Sequence, residues 1–182
     1  EGTKIVSGPL AAKPEIRDLI LSSDFLGASD HFPHHTIIVG HNIAFDLCVL
    51  MSNFPDLIVP IFRGLERGRF VCTMLASRLY ENALGRLQIQ GRRKLEHETV
   101  GAFSLAGCVD RYLGLDLSEG KQSGSWRYRY SELAGLPVSS YPQDAVDYAN
   151  SDSIHTVALF KALLTLADDP NIPRQSDGEV YV

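Results

Sequence analysis

The chain has 182 residues, of which 45% are hydrophobic and 21% charged. This balance is typical of one soluble globular domain, and it excludes disordered and low-complexity chains. The formal net charge of −5 argues against a protein that coats a long run of nucleic-acid phosphates. It does not exclude a nuclease, because metal ions bound at a carboxylate site reverse the local charge.

The cysteines and the apolar runs of the sequence indicate in which cellular compartment the protein is expected. Cys48, Cys72 and Cys108 are far apart and lack a metal-binding spacing, which predicts reduced thiols and a cytoplasmic protein. No apolar run approaches the length of a membrane span, and the polar start of the chain is not typical of a signal peptide.

Apolar and β-branched runs alternate with helical patterns along the chain. The elements predicted for the first half are a strand at 4–6, a helix from Pro14, a loop at 27–35, a strand at 36–39, a turn into a helix at 40–50, a strand at 69–72 and a helix at 73–83. Those of the second half are a basic exposed segment at 85–98, a helix capped by Ser104 and ended by Gly114, a Gly/Ser-rich segment at 118–125 and a long helix from Pro142 to about Ala167. This alternation predicts one α/β domain.

The first motif that carries chemistry is HNIAFD at residues 41–46, where a predicted strand turns into a helix. In open α/β sheets ligands gather at the carboxyl ends of the strands, so a carboxylate in the first helical turn can face a bound metal. Asn42 and Asp46 are also good helix-capping residues. Position alone therefore leaves a ligand site and a helix cap as alternatives.

The second motif is YANSD at residues 148–152, which places Tyr148 and Asp152 one turn apart on one face of the last predicted helix. The neighbours on this face are small residues, namely Ala145, Ala149 and Thr156. A buried carboxylate here would be paired or metal-bound, whereas the alternative is a solvated aspartate on an amphipathic helix. A second match at 112–116 crosses the glycine that ends a helix, so its side chains need not share a face.

Together the two motifs resemble the second and third motifs of the DEDD superfamily of 3′–5′ exonucleases. Over residues 4–167 the chain looks like the proofreading exonuclease domain of family A, polymerase I-like, DNA polymerases from bacteria and phages. Asp147 stands where the histidine subtype has its histidine, which indicates the tyrosine subtype. The resemblance implies a ribonuclease H-like α/β fold with a mixed central sheet flanked by helices over residues 1–168, and a tail or linker towards a following domain at 169–182.

The resemblance also implies roles for individual residues. Asp46 and Asp152 would bind two divalent ions, Mg²⁺ or Mn²⁺, while Tyr148 would hold or help to deprotonate the attacking water. Asn42 and Phe45 match family positions that contact the 3′-terminal nucleotides. We interpret the neighbouring His41 as a structural turn residue.

The sequence departs from the family at the first motif, a D-x-E that supplies two further carboxylates on the first strand. The only D-x-E of the chain lies at 177–179, out of family order. We therefore interpret residues 4–6 as the third strand of the fold, and expect the D-x-E either to precede Glu1 or to have been lost. The chain as given then lacks the first strands and holds half of the metal site.

A basic aromatic string, WRYRY at residues 126–130, alternates cations with rings, a combination suited to nucleic acid. It predicts that Trp126, Arg127 and Arg129 contact substrate. The alternative is an amphipathic edge with Trp126 and Tyr128 in the core. The other arginines that we interpret as surface residues are Arg63, Arg67 and Arg69.

These features predict a proofreading exonuclease that releases nucleoside monophosphates from a single-stranded DNA 3′ end, with a polymerase domain in the same or an associated chain and no membrane partner. One alternative is an inactive exonuclease-like domain with a structural or DNA-positioning role, which the missing D-x-E favours. The other is an RNase D-like RNA exonuclease, because no residue visibly reads the 2′-hydroxyl.

Overall fold

The described part of the chain is mainly helical and contains a small parallel sheet. A computed structural model describes residues 14–21, 37–86, 102–117, 126–134 and 136–167. The helices are α1 Pro14–Leu21, α2 Ile43–Asn53, α3 Ile58–Glu66, α4 Thr73–Ala83, α5 Leu105–Leu113, α6 Trp126–Arg129 and α7 Gln143–Ala167. The strands are β1 Ile38–Gly40 and β2 Phe70–Cys72, and short 3₁₀ segments lie at Pro55–Leu57, Tyr130–Leu133 and Val138–Ser140.

The two strands pair in parallel, with Ile38 opposite Phe70 and Gly40 opposite Cys72. A parallel pair needs a crossover connection, which α2 and α3 provide. The carboxyl ends of both strands therefore lie side by side, and α2 and α4 begin just beyond them. The first strand begins two residues later than the sequence pattern predicts, and its positions are half-buried rather than buried.

Several helix ends follow from local chemistry, as predicted. The Ser104 side chain accepts a hydrogen bond from the Gly107 amide at 3.2 Å and caps α5. Gly114, with φ of 66°, ends the same helix in the left-handed conformation that glycine adopts without steric cost. The Pro142 carbonyl accepts hydrogen bonds from the first turn of α7, so the proline stands directly before that helix.

The buried side chains form three clusters. The first joins α1, α2 and α3 beneath the sheet through Ile20, Ile43, Leu47, Leu50, Leu57 and Ile61. The second joins α5 and α7 through Cys108, Leu159 and Leu163. The third joins α6 to the start of α7 through Trp126, Leu133 and Ala145. The second and third clusters hold α7 against α5 and α6, and α7 also contacts β1.

Two expectations fail in the segment before β2. The sequence pattern gave no element for residues 55–66, where a 3₁₀ turn leads into α3. Arg63 and Arg67 are exposed as predicted, but the prediction for Arg69 is wrong, because only 5% of this residue is exposed. Its backbone lies in the crossover, donating to Gly64 and accepting from Ile38, and this pairing carries the side chain inward.

The small parallel sheet and its helices agree with an α/β fold, while the mixed, ribonuclease H-like sheet stays a prediction. The strand predicted at 4–6, the loop at 27–35, most of the basic segment at 85–98, the segment at 118–125 and the D-x-E at 177–179 lie outside the described residues. Within the described ranges, none of the helices combines the length and the apolar character that crossing a membrane requires.

Candidate active site

The HNIAFD motif forms the turn between the carboxyl end of β1 and the start of α2. His41 holds this turn through two hydrogen bonds to distant segments. Its Nε2 lies 2.9 Å from the Phe103 carbonyl oxygen, and its Nδ1 lies 2.9 Å from Oγ1 of Thr73 at the start of α4. His41 is therefore structural, as predicted, although its partners lie in other segments rather than in its own turn.

These partners define the state of the His41 ring. A carbonyl oxygen only accepts, so Nε2 carries a hydrogen and donates to Phe103. Burial lowers the pKa of His41, outweighing the Phe103 carbonyl, which favours the charged ring. In the neutral ring Nδ1 accepts from the Thr73 hydroxyl, so both ring nitrogens are satisfied.

Backbone geometry at the turn demands two unusual residues. A Cβ on Gly40 would lie 2.8 Å from Cγ1 and 2.9 Å from Cβ of Ile43, which is closer than real side chains approach. Asn42 adopts φ of 59° and ψ of 41°, a left-handed conformation that asparagine tolerates better than most residues. Its exposed side chain makes no capping bond to α2, so the helix-cap alternative is not observed for Asn42.

The left-handed conformation of Asn42 predicts a difference between two substitutions. Asn42→Gly keeps the backbone relaxed, so we expect unfolding free energy at or above that of the wild type. Asn42→Ala places a Cβ in the left-handed region and should lower it by about 1 kcal/mol. Urea unfolding of both variants measures the difference, and equal stabilities would contradict the strain at this turn.

Asp46 and Phe45 project from the first turn of α2. Asp46 is half-buried, and desolvation raises the pKa of its carboxyl group against the opposing effect of a hydrogen bond with its own backbone. A carboxylate in this state gains from a nearby cation. Phe45 is 67% exposed, which is unusual for a phenylalanine and leaves its ring available for contact. The buried side of α2 is formed instead by Ile43, Leu47 and Leu50.

Asp152 lies on the packed face of α7 and is nevertheless exposed. The residues at helical spacing before and after it, Ala145 and Thr156, are 2% and 7% exposed. The covering of α7 is therefore open at Asp152. This aspartate is accessible to solvent, as the alternative interpretation expects, and its role as a metal ligand stays a prediction. Tyr148, one turn earlier, is half-buried and packs against the cluster around Trp126.

The packing of α7 against β1 makes the helix that carries Tyr148 and Asp152 a neighbour of the strand that leads into the HNIAFD turn. The two motifs, about a hundred residues apart, thus belong to adjacent elements of the fold. Their side chains offer two carboxylates and a phenol, the hard oxygen donors that divalent ions such as Mg²⁺ prefer. This donor set fits the half metal site expected from the sequence, and the described ranges contain no group of three or more metal-ligating side chains.

The basic aromatic string is divided between core and surface. Trp126 is 7% exposed and belongs to the core, so in this arrangement its ring cannot stack on a base, in agreement with the alternative interpretation for this residue. Arg129 lies 4.2 Å from the Trp126 ring and pairs with Glu132 at 2.9 Å. Tyr128 is 67% exposed, so its ring faces outward. The side chain of Arg127 lies outside the described part.

The sequence reasoning missed Thr73 and Phe103 as supports of the turn. They lie 32 and 62 residues from His41, and no local pattern connects such positions. The Thr73 hydroxyl is also 3.4 Å from the carbonyl oxygen of Gly40, the last residue of β1. Because Thr73 directly follows β2, it links the carboxyl ends of the two strands.

Comparison with known proteins gives one match. A family model described as 3′–5′ exonuclease matches residues 29–168, which include both motifs and the elements between them. No curated protein and no solved structure matches the chain.

Proposed function

The chain belongs to the family of DEDD 3′–5′ exonucleases of the polymerase I-like type, and from this membership we propose that it is the proofreading domain of a DNA polymerase. It hydrolyses the last phosphodiester bond at the 3′ end of single-stranded DNA and releases a nucleoside monophosphate, beside a polymerase domain in the same or an associated chain. The observation that carries the proposal is the packing of α7, with Tyr148 and Asp152, against the strand that leads into the turn with Asn42 and Asp46.

The proposed mechanism assigns the metal ligands to Asp46 and Asp152. Two divalent cations, when bound, would supply a hydroxide near neutral pH and stabilise the leaving 3′ oxygen. The raised pKa of the Asp46 carboxyl supports its role, because burial costs this carboxylate more than its backbone hydrogen bond returns, and a bound cation would offset the difference. The D-x-E carboxylates of the family would complete the ligand set.

Tyr148 has the role of holding the attacking water. Its position one turn before Asp152 places its phenol and the carboxylate on the same side of α7. Packing against the Trp126 cluster limits the rotamers of the ring, so its hydroxyl is held in place before substrate arrives. The tyrosine thus positions the water and accepts or relays its proton.

The 3′-terminal nucleotides are bound by Asn42 and Phe45. Both are exposed next to Asp46, and Phe45 offers a ring to a base or sugar while the Asn42 amide offers hydrogen bonds. Of the string at 126–130, Tyr128 replaces Trp126 in our proposal as a ring that contacts the strand, since Tyr128 is exposed and Trp126 is buried.

A second candidate function is that of an exonuclease-like domain that positions DNA without cleaving it. This function applies if the D-x-E of the family has been lost rather than lying before Glu1. Retention of Asp46, Tyr148 and Asp152 on adjacent elements argues for catalysis, because a domain that only positions DNA has no chemical need for all three.

Digestion of a 5′-labelled single-stranded DNA oligonucleotide with Mg²⁺ or Mn²⁺, compared with EDTA, tests the proposal. A ladder that shortens from the 3′ end only with metal supports the exonuclease. A folded protein that binds the oligonucleotide and leaves it intact would instead support the positioning function. An RNA oligonucleotide of the same sequence separates DNA from RNA exonucleases.

Tyr148→Phe should slow cleavage by about 100-fold or more while leaving the affinity for DNA close to that of the wild type, because general acid–base assistance of this kind contributes about 10²-fold or more. Single-turnover cleavage rates and DNA binding in EDTA measure the two effects separately. A change confined to binding would contradict the role of Tyr148 on the water.

A further inference from the structure

Two arginines share the ring of Phe103 at the edge of the candidate site. The guanidinium carbon of Arg78, from α4, lies 5.3 Å from the centre of the ring, and that of Arg111, from α5, lies 5.1 Å from it. Arg111 also donates to the Ala102 carbonyl oxygen at 3.3 Å. We call this group the Arg78–Phe103–Arg111 stack. These contacts hold two long, flexible side chains at one place on the surface.

The charge of the stack is only partly offset within the described ranges, where the Glu81 carboxylate accepts a hydrogen bond at 2.9 Å from Tyr112, whose ring lies 5.8 Å from the Arg111 guanidinium. Both arginines are exposed, and neither forms an ion pair with a carboxylate there, whereas Arg17, Arg86 and Arg129 do. The two positive guanidinium groups beside the ring repel each other. An anion that contacts both relieves this repulsion, which favours its binding. Each guanidinium that stacks on a ring keeps N–H groups at its edge, which match the oxygens of a phosphate. The chain as a whole carries a net charge of −5, so the stack is a local positive site on a negatively charged protein. A ligand that binds there would be an anion.

The stack lies directly beside the HNIAFD turn. The Phe103 backbone carbonyl accepts the hydrogen bond from His41, the residue before Asn42. The stack is therefore joined to the turn that carries Asn42 and Phe45 through the single residue Phe103. This position differs from the carboxylates of the site, which repel phosphates unless metal is bound.

We propose that the Arg78–Phe103–Arg111 stack binds the phosphodiester backbone of single-stranded DNA behind the 3′-terminal nucleotides. The inference rests on the proposed function, because it takes the ligand to be the same strand. Its contribution is electrostatic and independent of sequence, as suits an enzyme that must accept any 3′ end.

The test is the salt dependence of DNA binding by the full chain in EDTA, with a labelled oligothymidylate of about 12 nucleotides. Each phosphate contact with a single strand adds about 0.7 to the slope of log K against log salt. Arg78→Gln/Arg111→Gln should therefore lower the slope by about 1.4 and weaken binding roughly twentyfold at 0.1 M salt. An unchanged slope would overturn the proposal.

A matched control is Arg63→Gln/Arg67→Gln, which removes the same charge from two exposed arginines of the segment that enters β2 at its amino end, away from the turn. The slope of this control should match that of the wild type, and an equal loss would show a general charge effect and overturn the proposal. Arg78→Lys/Arg111→Lys retains the charges and should retain most of the slope. If the Lys variant binds normally and the Gln variant does not, the loss is due to charge rather than to unfolding. Thermal unfolding of each variant checks directly that it is folded.

Binding in EDTA requires no cleavage, so the two proposals fail separately. Failure of the proposed function shows as an oligonucleotide left intact with metal present. Failure of the inference shows as a salt slope that the loss of Arg78 and Arg111 leaves unchanged.

Discussion

Replacing Asp152 with alanine is expected to abolish metal-dependent cleavage, by about a thousandfold or more, with the fold intact. A metal ligand supports several kcal/mol of transition-state stabilisation, and about 1.4 kcal/mol corresponds to a factor of ten in rate. Asp152 is exposed, and exposed substitutions usually change the free energy of unfolding by less than about 0.5 kcal/mol. Single-turnover cleavage and thermal unfolding give the two quantities.

The same helix offers the matched control. Asp147 is also an exposed aspartate of α7, and its carboxylate accepts a hydrogen bond from Gln143 at 2.9 Å. Asp147→Ala removes the same charge on another side of the helix and should leave cleavage close to the wild-type rate. Loss of activity in both variants would show that net charge, rather than a ligand at Asp152, determines the rate.

Gly40→Ala is expected to lower both stability and activity. The added Cβ would overlap Ile43 at its branched Cβ, which cannot move unless α2 moves. Overpacking of this kind costs about 1–3 kcal/mol. Asn42 directly precedes α2 and Asp46 lies in its first turn, so a shift of α2 also displaces the proposed nucleotide and metal contacts. Urea unfolding and cleavage rates measure the two effects.

Gly114→Ala provides the comparison for Gly40→Ala. A Cβ at Gly114 meets no atom within 4 Å, but the φ of 66° is unfavourable for alanine, so stability should fall by about 1 kcal/mol. Gly114 ends α5, and cleavage by the folded variant should stay near the wild-type rate. If Gly40→Ala retained full activity, the fit of Gly40 against Ile43 would not be a requirement of the site.

Elements with local signals were predictable from the sequence, and elements set by distant contacts were not. The limits of α5 follow from Ser104 and Gly114, whose effects are confined to one turn of the helix. The segment that holds α3 contains Pro55 and Pro60, which break the apolar periodicity by which helices are recognised. The burial of Arg69 depends on its pairing across the crossover, which no nearby residue indicates.

The candidate site shows the same division. The elements that carry Asp46, Tyr148 and Asp152 were predictable from local signals, whereas the roles of these residues come from the resemblance of both motifs to the family and stay predictions. The exposure of Asp152 within a packed face depends on what covers α7, and the burial of Trp126 depends on Leu133 and Ala145. The contacts of Phe103 with Arg78 and Arg111 join a turn to two helices, so the sequence pattern gave no indication of them.

The two hydrogen bonds of His41 also set an order of events during folding. Residue 41 needs partners at 73 and 103, so its turn is held in the native form only once the chain has been synthesised beyond residue 103 and these segments have come together. Closing such long loops costs entropy, which the packing of the helices offsets. A chain that ends before residue 103 therefore lacks the hydrogen bond between His41 and the Phe103 carbonyl that holds the HNIAFD turn.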